Sequence, residues 1–273
     1  MLKETTVQSS LKTQQDEIAA AMKNVKKKIV VLSGKGGVGK STVASNLALA
    51  FGKKFPGKVG IADLDFSGPN IAKMLGIEGK KVEVQESGKP LPVEGPMGVK
   101  VISMAFFLET ASTPVVWRGP IKMKALNQFL TDFDWGPLEV LIFDMPPGTG
   151  DEAISIMQML PDLDGVVIVT TPQEVSTLDT GKSLVMSRKM LGDESVLGII
   201  ENMSVFKCPS CETEHALFGE GGGERMAQEF NTEILGQIPF DLNIRVKGDK
   251  GLSEAFEYFS PIVTKLLNKL KKK

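Results

Sequence analysis

Two cysteines, one histidine, one tyrosine and two tryptophans are all that the 273 residues contain of those types. This poverty excludes much chemistry. The lone histidine, His215, follows Cys211 closely, so no Cys-His pair exists away from that one segment. Neither a Ser-His-Asp triad nor a histidine-rich metal site within one chain is in prospect. An excess of either charge is missing too: 32 basic residues stand against 33 acidic ones, a net charge of −1. Lysine runs at 26–28 and 271–273 are offset by acidic residues, and no electrostatic footprint for nucleic acid remains. No apolar run approaches the length of a membrane span, and the polar N-terminus lacks the apolar core of a secretory signal. The expected compartment is the reducing cytoplasm, with neither nucleic acid nor membrane among the partners. What the chain does have is an apolar content of 42%, ample for a core, at a length suiting one large α/β domain or two small ones.

The most informative stretch is Gly34-Lys35-Gly36-Gly37-Val38-Gly39-Lys40-Ser41, followed by Thr42. It satisfies the phosphate-loop pattern G-x-x-x-x-G-K-[ST], with an apolar run over 28–32 before it and a helical pattern over 41–54 after it. Glycines let backbone N–H groups turn inward around phosphate oxygens, and the helix N-terminus adds positive potential. Lys40 is then placed to reach the β- and γ-phosphates, and Ser41 to offer its hydroxyl to Mg²⁺. The alternative is a glycine-rich turn that binds nothing; strand, loop and helix in sequence favour the nucleotide. Lys35 is an extra cation that an ordinary phosphate loop does not need. It either neutralises phosphate in its own site, reaches a neighbour's nucleotide across a dimer, or is a solvated loop lysine.

From residue 28 onward strands and helices alternate. Strands are expected at about 28–32, 58–63, 99–104, 138–143, 164–170, 196–201 and 234–238. Several are continuous apolar runs, as strands buried on both faces are. Helices are expected at about 41–54, 69–76, 121–131, 151–160, 174–191, 222–230 and 252–270. This predicts an α/β fold, a doubly wound and mostly parallel sheet, over residues 28–273. Residues 80–98, rich in Gly, Pro and Glu, read as a hairpin or loop insertion. Residues 1–27 are polar and read as a helical arm or linker; Ile18, Met22 and Val25 share one helical face, giving an amphipathic helix over about 14–25.

Strand ends supply the remaining phosphate chemistry. The run 138–143 ends in Asp144, and in a parallel sheet the C-terminal strand ends gather at the ligand edge. Asp144 is thus placed to hold Mg²⁺ or its waters. Met145-Pro146-Pro147-Gly148-Thr149-Gly150-Asp151 follows it. Two prolines stiffen this exit and the glycines permit close approach to a γ-phosphate, the makings of a switch loop. Asp151 reads as a cap of the next helix. The run from Val59 ends in Asp63, with Asp65 two residues on; the two carboxylates share a face if the strand continues. One of them is the plausible base or orienting group for an attacking water, against a solvated turn before the next helix.

Cys208-Pro209-Ser210-Cys211 precedes His215 and the glycine-rich run 219–223. Four readings compete on the residues alone. A thioredoxin-like redox pair belongs at a helix start in a smaller βαβ fold. A structural disulfide does not suit a reducing compartment. A zinc site needs four ligands, and Cys208, Cys211 and His215 supply at most three. A centre shared between two chains needs only Cys208 and Cys211 from each, a Cys₄ set that serves zinc or [4Fe–4S].

The loop with its two lysines resembles the deviant Walker A ATPases. Taken with Asp144-Met145-Pro146-Pro147-Gly148-Thr149-Gly150-Asp151-Glu152, Trp117-Arg118-Gly119-Pro120, Glu201-Asn202-Met203, the Cys208/Cys211 pair and Phe218-Gly219-Glu220-Gly221-Gly222-Gly223, it resembles the Mrp/ApbC family of iron–sulfur cluster carrier ATPases. The likeness covers roughly residues 28–258. It implies an ATPase that converts ATP and water to ADP and phosphate with Mg²⁺, and an ATP-stabilised homodimer in which Lys35 contacts the facing subunit's phosphates. It implies that Asp65 activates water, that Asp63 supports the Mg²⁺ shell, and that Asn202, Pro239 and Asp241 contact adenine. It further implies a labile [4Fe–4S] cluster held by Cys208 and Cys211 of both subunits, with cluster donors and apo iron–sulfur proteins as partners. Met145 stands where the family often has Thr. The additional N-terminal cysteine cluster of Nbp-type relatives is lacking, which leaves the bridging cluster alone, and His215 has no required role.

Two other functions compete. A MinD- or ParA-like spatial regulator uses the same ATP sandwich, and Leu266, Leu267 and Leu270 with flanking lysines form a face that suits a membrane surface. A core-docking helix with a basic end is the preferred reading of those leucines. A metal-dependent enzyme acting on a small substrate ranks last, because no separate nucleophile or pocket is legible.

Overall fold

The computed structural model describes residues 2–108, 119–251 and 255–272. In chain order its elements are α1 (Leu2–Ala21), β1 (Val25–Ser33), α2 (Lys40–Lys54), β2 (Val59–Asp63), α3 (Ile71–Met74), β3 (Val93–Glu94), β4 (Lys100–Ser103) and α4 (Gly119–Thr131). Then follow β5 (Leu138–Asp144), α5 (Asp151–Met159), β6 (Gly165–Thr170), α6 (Glu174–Leu191) and β7 (Val196–Asn202). The last are β8 (Phe206–Lys207), β9 (Glu214–His215), α7 (Gly222–Glu229), β10 (Ile234–Ile238), α8 (Leu242–Asp249) and α9 (Phe256–Leu270).

The main sheet has eight strands in the order β10-β7-β6-β1-β5-β2-β4-β3. All its pairings are parallel except β3 on β4. Alternate residues of a strand face opposite sides, and here both sides are buried. In β1, Ile29 and Val31 join a core with α2 and α9, while Val30 and Leu32 join a second core with α1, α4 and α5. That double burial explains why the strands read as unbroken apolar runs. β1 lies between β5 and β6, and the chain leaves it for α2. The crevice at this reversal of strand order, beyond the C-terminal strand ends, is where open α/β sheets bind ligands.

Most expected elements stand where the spacing puts them, with differences that have physical causes. The N-terminal helix is longer than 14–25 at its start and ends at Ala21, because β1 begins at Val25 in register with Leu138. Ile18 and Met22 are fully buried. The short α3 replaces a helix over 69–76, since Gly68 and Pro69 precede it and Gly76, at φ 66°, follows. The 80–98 insertion contributes an isolated bridge between Val84 and Pro90 and the edge strand β3. α8 and the β8–β9 hairpin were not expected at all: both are short, and neither carries a long apolar period. The expected start of the last helix at 252 lies outside the described residues, as do Trp117 and Arg118 of the family pattern. Asp151 does not cap α5; Gly150 holds that position, and Asp151 and Glu152 fill the first turn, where carboxylates meet the helix dipole favourably.

In α9, Leu266 and Leu270 are buried in the core with α2. They dock rather than face lipid, which removes the support for a membrane-surface role. No described helix is long and apolar enough to cross a membrane.

The two-sided core sets a stability prediction. Phe143 is fully buried in the α1/α4/α5 core on the central strand β5. Phe143→Ala should cost about 3–5 kcal/mol, read as a lower urea midpoint at an unchanged m-value.

Candidate nucleotide site and cysteine hairpin

β1 delivers Gly34 to the sheet edge, and the loop turns directly into α2 at Lys40. Two glycines in it have no substitute. A Cβ on Gly34 would collide with the backbone of Asp179 and Thr180, where α6 packs on the loop. Gly39 sits at φ 82° and caps α2, and a Cβ there would collide with Asn202.

Lys40 is buried and its Nζ donates to Asp144 Oδ1 at 2.7 Å. Ser41 Oγ donates to Asp144 Oδ2 at 2.6 Å. Asp144, at the end of β5, is wholly buried and thereby grips both residues that the motif assigns to phosphate and metal. Asp63 ends the neighbouring β2 and is paired in register with Asp144, so the two carboxylates stand side by side. One oxygen of Asp63 accepts from Ser103 Oγ at 3.0 Å and from the Ile71 N–H at 3.2 Å. Its other oxygen is buried and has no hydrogen-bond partner among the described residues. Burial first, and the Asp144 charge second, push the Asp63 carboxyl up to about 8.

The strand does not continue past Asp63, so Asp63 and Asp65 part company. Asp65 instead lines a cavity of about 210 Å³ with Lys35, Gly36, Lys40, Ser41 and Thr42. Burial raises its carboxyl pKa and the Lys40 charge opposes that rise. Lys35 approaches Gln173, the residue capping α6, with its Nζ 3.5 Å from Oε1. The other flank of the loop holds a second cavity, of about 420 Å³, walled by Val38, Thr171, Met203, Phe218 and Phe240.

Of the three expected base contacts, Asn202 is buried at the end of β7 and its amide donates to the Val38 carbonyl at 2.9 Å. Asp241 caps α8 by accepting from the Asn243 N–H at 2.7 Å. Pro239 lines a further cavity of about 520 Å³ that also touches Cys208. Sequence reasoning missed Ser103, which holds Asp63; Phe240, between the expected Pro239 and Asp241, walls the cavities on both sides of it. A lone serine at a strand end carries no signal. A larger apolar cavity of about 900 Å³ between α6 and α7 lies away from the loop lysines.

Cys208 and Cys211 lie in the turn of the β8–β9 hairpin, both as free thiols. The Cys208 N–H donates to the Thr213 carbonyl and the Glu212 N–H to the Cys208 carbonyl, which closes the turn. Cys211 is exposed, and its hydrogen bonds with Thr213 hold its thiol below the ordinary range. His215 is exposed and faces Phe206 across the hairpin. No group of three or more His, Cys, Asp or Glu able to hold a metal exists among the described residues.

A family model described as NUBPL iron-transfer P-loop NTPase, of the ParA group, matches residues 24–273. The chain belongs to this iron-transfer P-loop NTPase family. An iron-sulfur cluster carrier protein of Saccharolobus solfataricus is 51% identical over 235 residues, covering 86% of this chain and 78% of the relative. One from Methanocaldococcus jannaschii is 48% identical, covering 96% and 92%. Among solved structures, a nucleotide-binding protein of Archaeoglobus fulgidus in complex with ADP superposes with a TM-score of 0.77 at 37% identity, covering 89% of this chain and 93% of that one. The cell division ATPase MinD of Pyrococcus furiosus, at 20% identity and a TM-score of 0.56, shares the fold. The α/β fold with its mostly parallel sheet is thus that of the MinD/ParA-type P-loop NTPases.

A pH prediction follows for this iron-transfer NTPase. In the folded chain Asp63 keeps its proton to about pH 8, against 3.8 for an ordinary aspartate. Between those limits the unfolded chain binds fewer protons, so stability falls as pH rises through the window. Asp63→Asn should flatten the Asp63 part of that fall. The check is urea unfolding from pH 4 to 8 in chelator, parent against variant.

Proposed function

We propose that the protein binds ATP with Mg²⁺ in the loop 34–42, hydrolyses it to ADP and phosphate, and carries a labile [4Fe–4S] cluster between two copies of itself for delivery to apo iron–sulfur proteins. The observation that carries this reading is the Cys208/Cys211 pair: free thiols in a hairpin turn, one of them exposed, with no third ligand beside them among the described residues, in an iron-transfer family. Two thiolates leave a centre half ligated, and a second copy supplies the other half. The Thr213 hydrogen bonds favour the thiolate of Cys211 that iron needs. The names of the archaeal relatives point to the same cargo.

On the nucleotide side, Lys40 neutralises phosphate, and Lys35 reaches the facing subunit's nucleotide. Asp65, in the cavity beside Lys40, positions the attacking water. Asn202, Pro239 and Asp241 border the adenine. The residues present fit a hard divalent cation: a buried, unpartnered Asp63 oxygen, the Asp144 carboxylate and the Ser41 hydroxyl are all oxygen donors. Ser41, Asp144 and Asp63 would hold Mg²⁺ or its waters, and the ion would offset phosphate charge. Lys40 must leave Asp144 to grip phosphate, so nucleotide arrival exchanges one buried charge partner for another. The loop after Asp144 is bonded into the site through the Gly148 N–H on the Ser33 carbonyl, at 2.9 Å. Towards the cysteines, Phe240 packs on Phe206 and Phe218, and its N–H donates to the Val205 carbonyl at 2.7 Å. Phe240 and the loop residues Gly36, Gly37 and Val38 line one cavity of about 420 Å³, so a ligand filling it would meet both the loop and the residue that packs on the hairpin.

Anaerobic reconstitution with iron and sulfide should yield about four irons and four sulfides per dimer, as a [4Fe–4S] cluster requires. Cys208→Ser should abolish the cluster while nucleotide binding stays. Zinc without acid-labile sulfide, or equal cluster retention in the variant, overturns the carrier reading. Lys40→Ala should abolish ATP turnover in a phosphate-release assay; unchanged turnover removes the role given to the loop.

A further inference from the structure

One cation outside the phosphate loop joins the two loops that flank it. Lys122, in the first turn of α4, stands with its Nζ 2.9 Å from Ser67 Oγ and 3.2 Å from both carboxylate oxygens of Glu152. Ser67 lies two residues past Asp65, and Glu152 lies in the first turn of α5, just past the exit loop of β5. The Lys122 side chain is only 17% exposed, which strengthens its pairing over that of an open surface pair.

α4 makes a second contact with the same loop: Phe66, next to Asp65, packs on Phe129 with ring centroids 5.1 Å apart. On the other side of Asp65 the Leu64 N–H donates to the Asp144 carbonyl at 2.9 Å. Asp65 therefore sits between two anchored neighbours, and Lys122 connects this anchored loop to the start of α5.

We propose that Lys122 is a positioning residue for ATP hydrolysis, bridging Ser67 and Glu152 so that the Asp65 loop and the loop 145–150 hold one fixed spacing. The proposal rests on the reading of Asp65 as the group that orients water. Among the described residues the hydrogen bonds of Lys122 go to Ser67 and Glu152 and not to the loop 34–42, so it acts on turnover and not on nucleotide capture. Without the cation Glu152 loses its counterion, Ser67 loses its partner, and the two loops move independently.

The test combines steady-state hydrolysis with amide hydrogen exchange on the full chain. In K122A, kcat should fall about tenfold while KM for ATP stays within about twofold, the signature of an interaction needed in the transition state and not in binding. K122R should recover most of the loss, and E152Q should shift kcat in the same direction as K122A. Exchange in the segments 64–68 and 145–152 should rise in K122A without nucleotide, while α2 stays protected. A kcat within twofold of the parent in both K122A and E152Q overturns the proposal, as does a loss matched by an equal rise in KM. The exchange measurement separates this outcome from failure of the ATPase reading. If the parent shows no turnover, raised exchange in both segments upholds the bridge while the hydrolytic role falls, and unchanged exchange overturns the bridge itself.

Discussion

The buried pairing of Lys40 with Asp144 is the constraint on which the site depends. Both side chains are almost wholly out of water, so each is tolerable there only because of the other. Removing one partner of such a pair typically costs about 3–5 kcal/mol, through the uncompensated charge left behind. The pairing fixes the sheet as well as the site. Asp144 must end β5 level with the start of α2, which requires β5 to lie beside β1, and the register of β1 on β5 supplies that. Ser41 takes the remaining Asp144 oxygen, so the first turn of α2 is locked to the strand end.

A second carboxylate next to the first would ordinarily be repelled. Asp63 is accommodated because it holds its proton, and because Ser103 and the start of α3 take one of its oxygens. The sheet edge therefore stores a titratable group at the one place where a divalent cation would relieve it. Around this centre the exits of β2 and β5 are each tied to the neighbouring strand by backbone hydrogen bonds. Leu64 bonds to Asp144, Met145 to Val31, and Gly148 to Ser33. These bonds hold the two exits at fixed heights on the sheet edge.

Much of this was legible in the sequence, for identifiable reasons. The phosphate loop is a local motif whose strand and helix neighbours confirm it. The continuous apolar runs announce strands buried on both faces, and seven expected strands fall on β1, β2, β4, β5, β6, β7 and β10. The legible part ends where the geometry of the site rests on residues far apart in sequence. Ser103 meets Asp63 across 40 residues, Lys122 meets Ser67 across 55, and Asn202 meets Val38 across 164. No periodicity or spacing encodes such meetings. The cysteine hairpin escaped for the opposite reason: its strands have two residues each, too few for alternation to register. The parting of Asp63 and Asp65 likewise turned on where β2 stops, a boundary fixed by pairing with β4 and β5.

The hairpin that carries Cys208 and Cys211 meets the rest of the molecule mainly through Phe206, Phe240 and the backbone of Val205, while its turn projects outward. None of its residues belongs to either hydrophobic core. The cysteine pair and the phosphate loop thus sit on separable parts of the chain. Substitutions in the turn therefore leave untouched the packing by which the sheet folds.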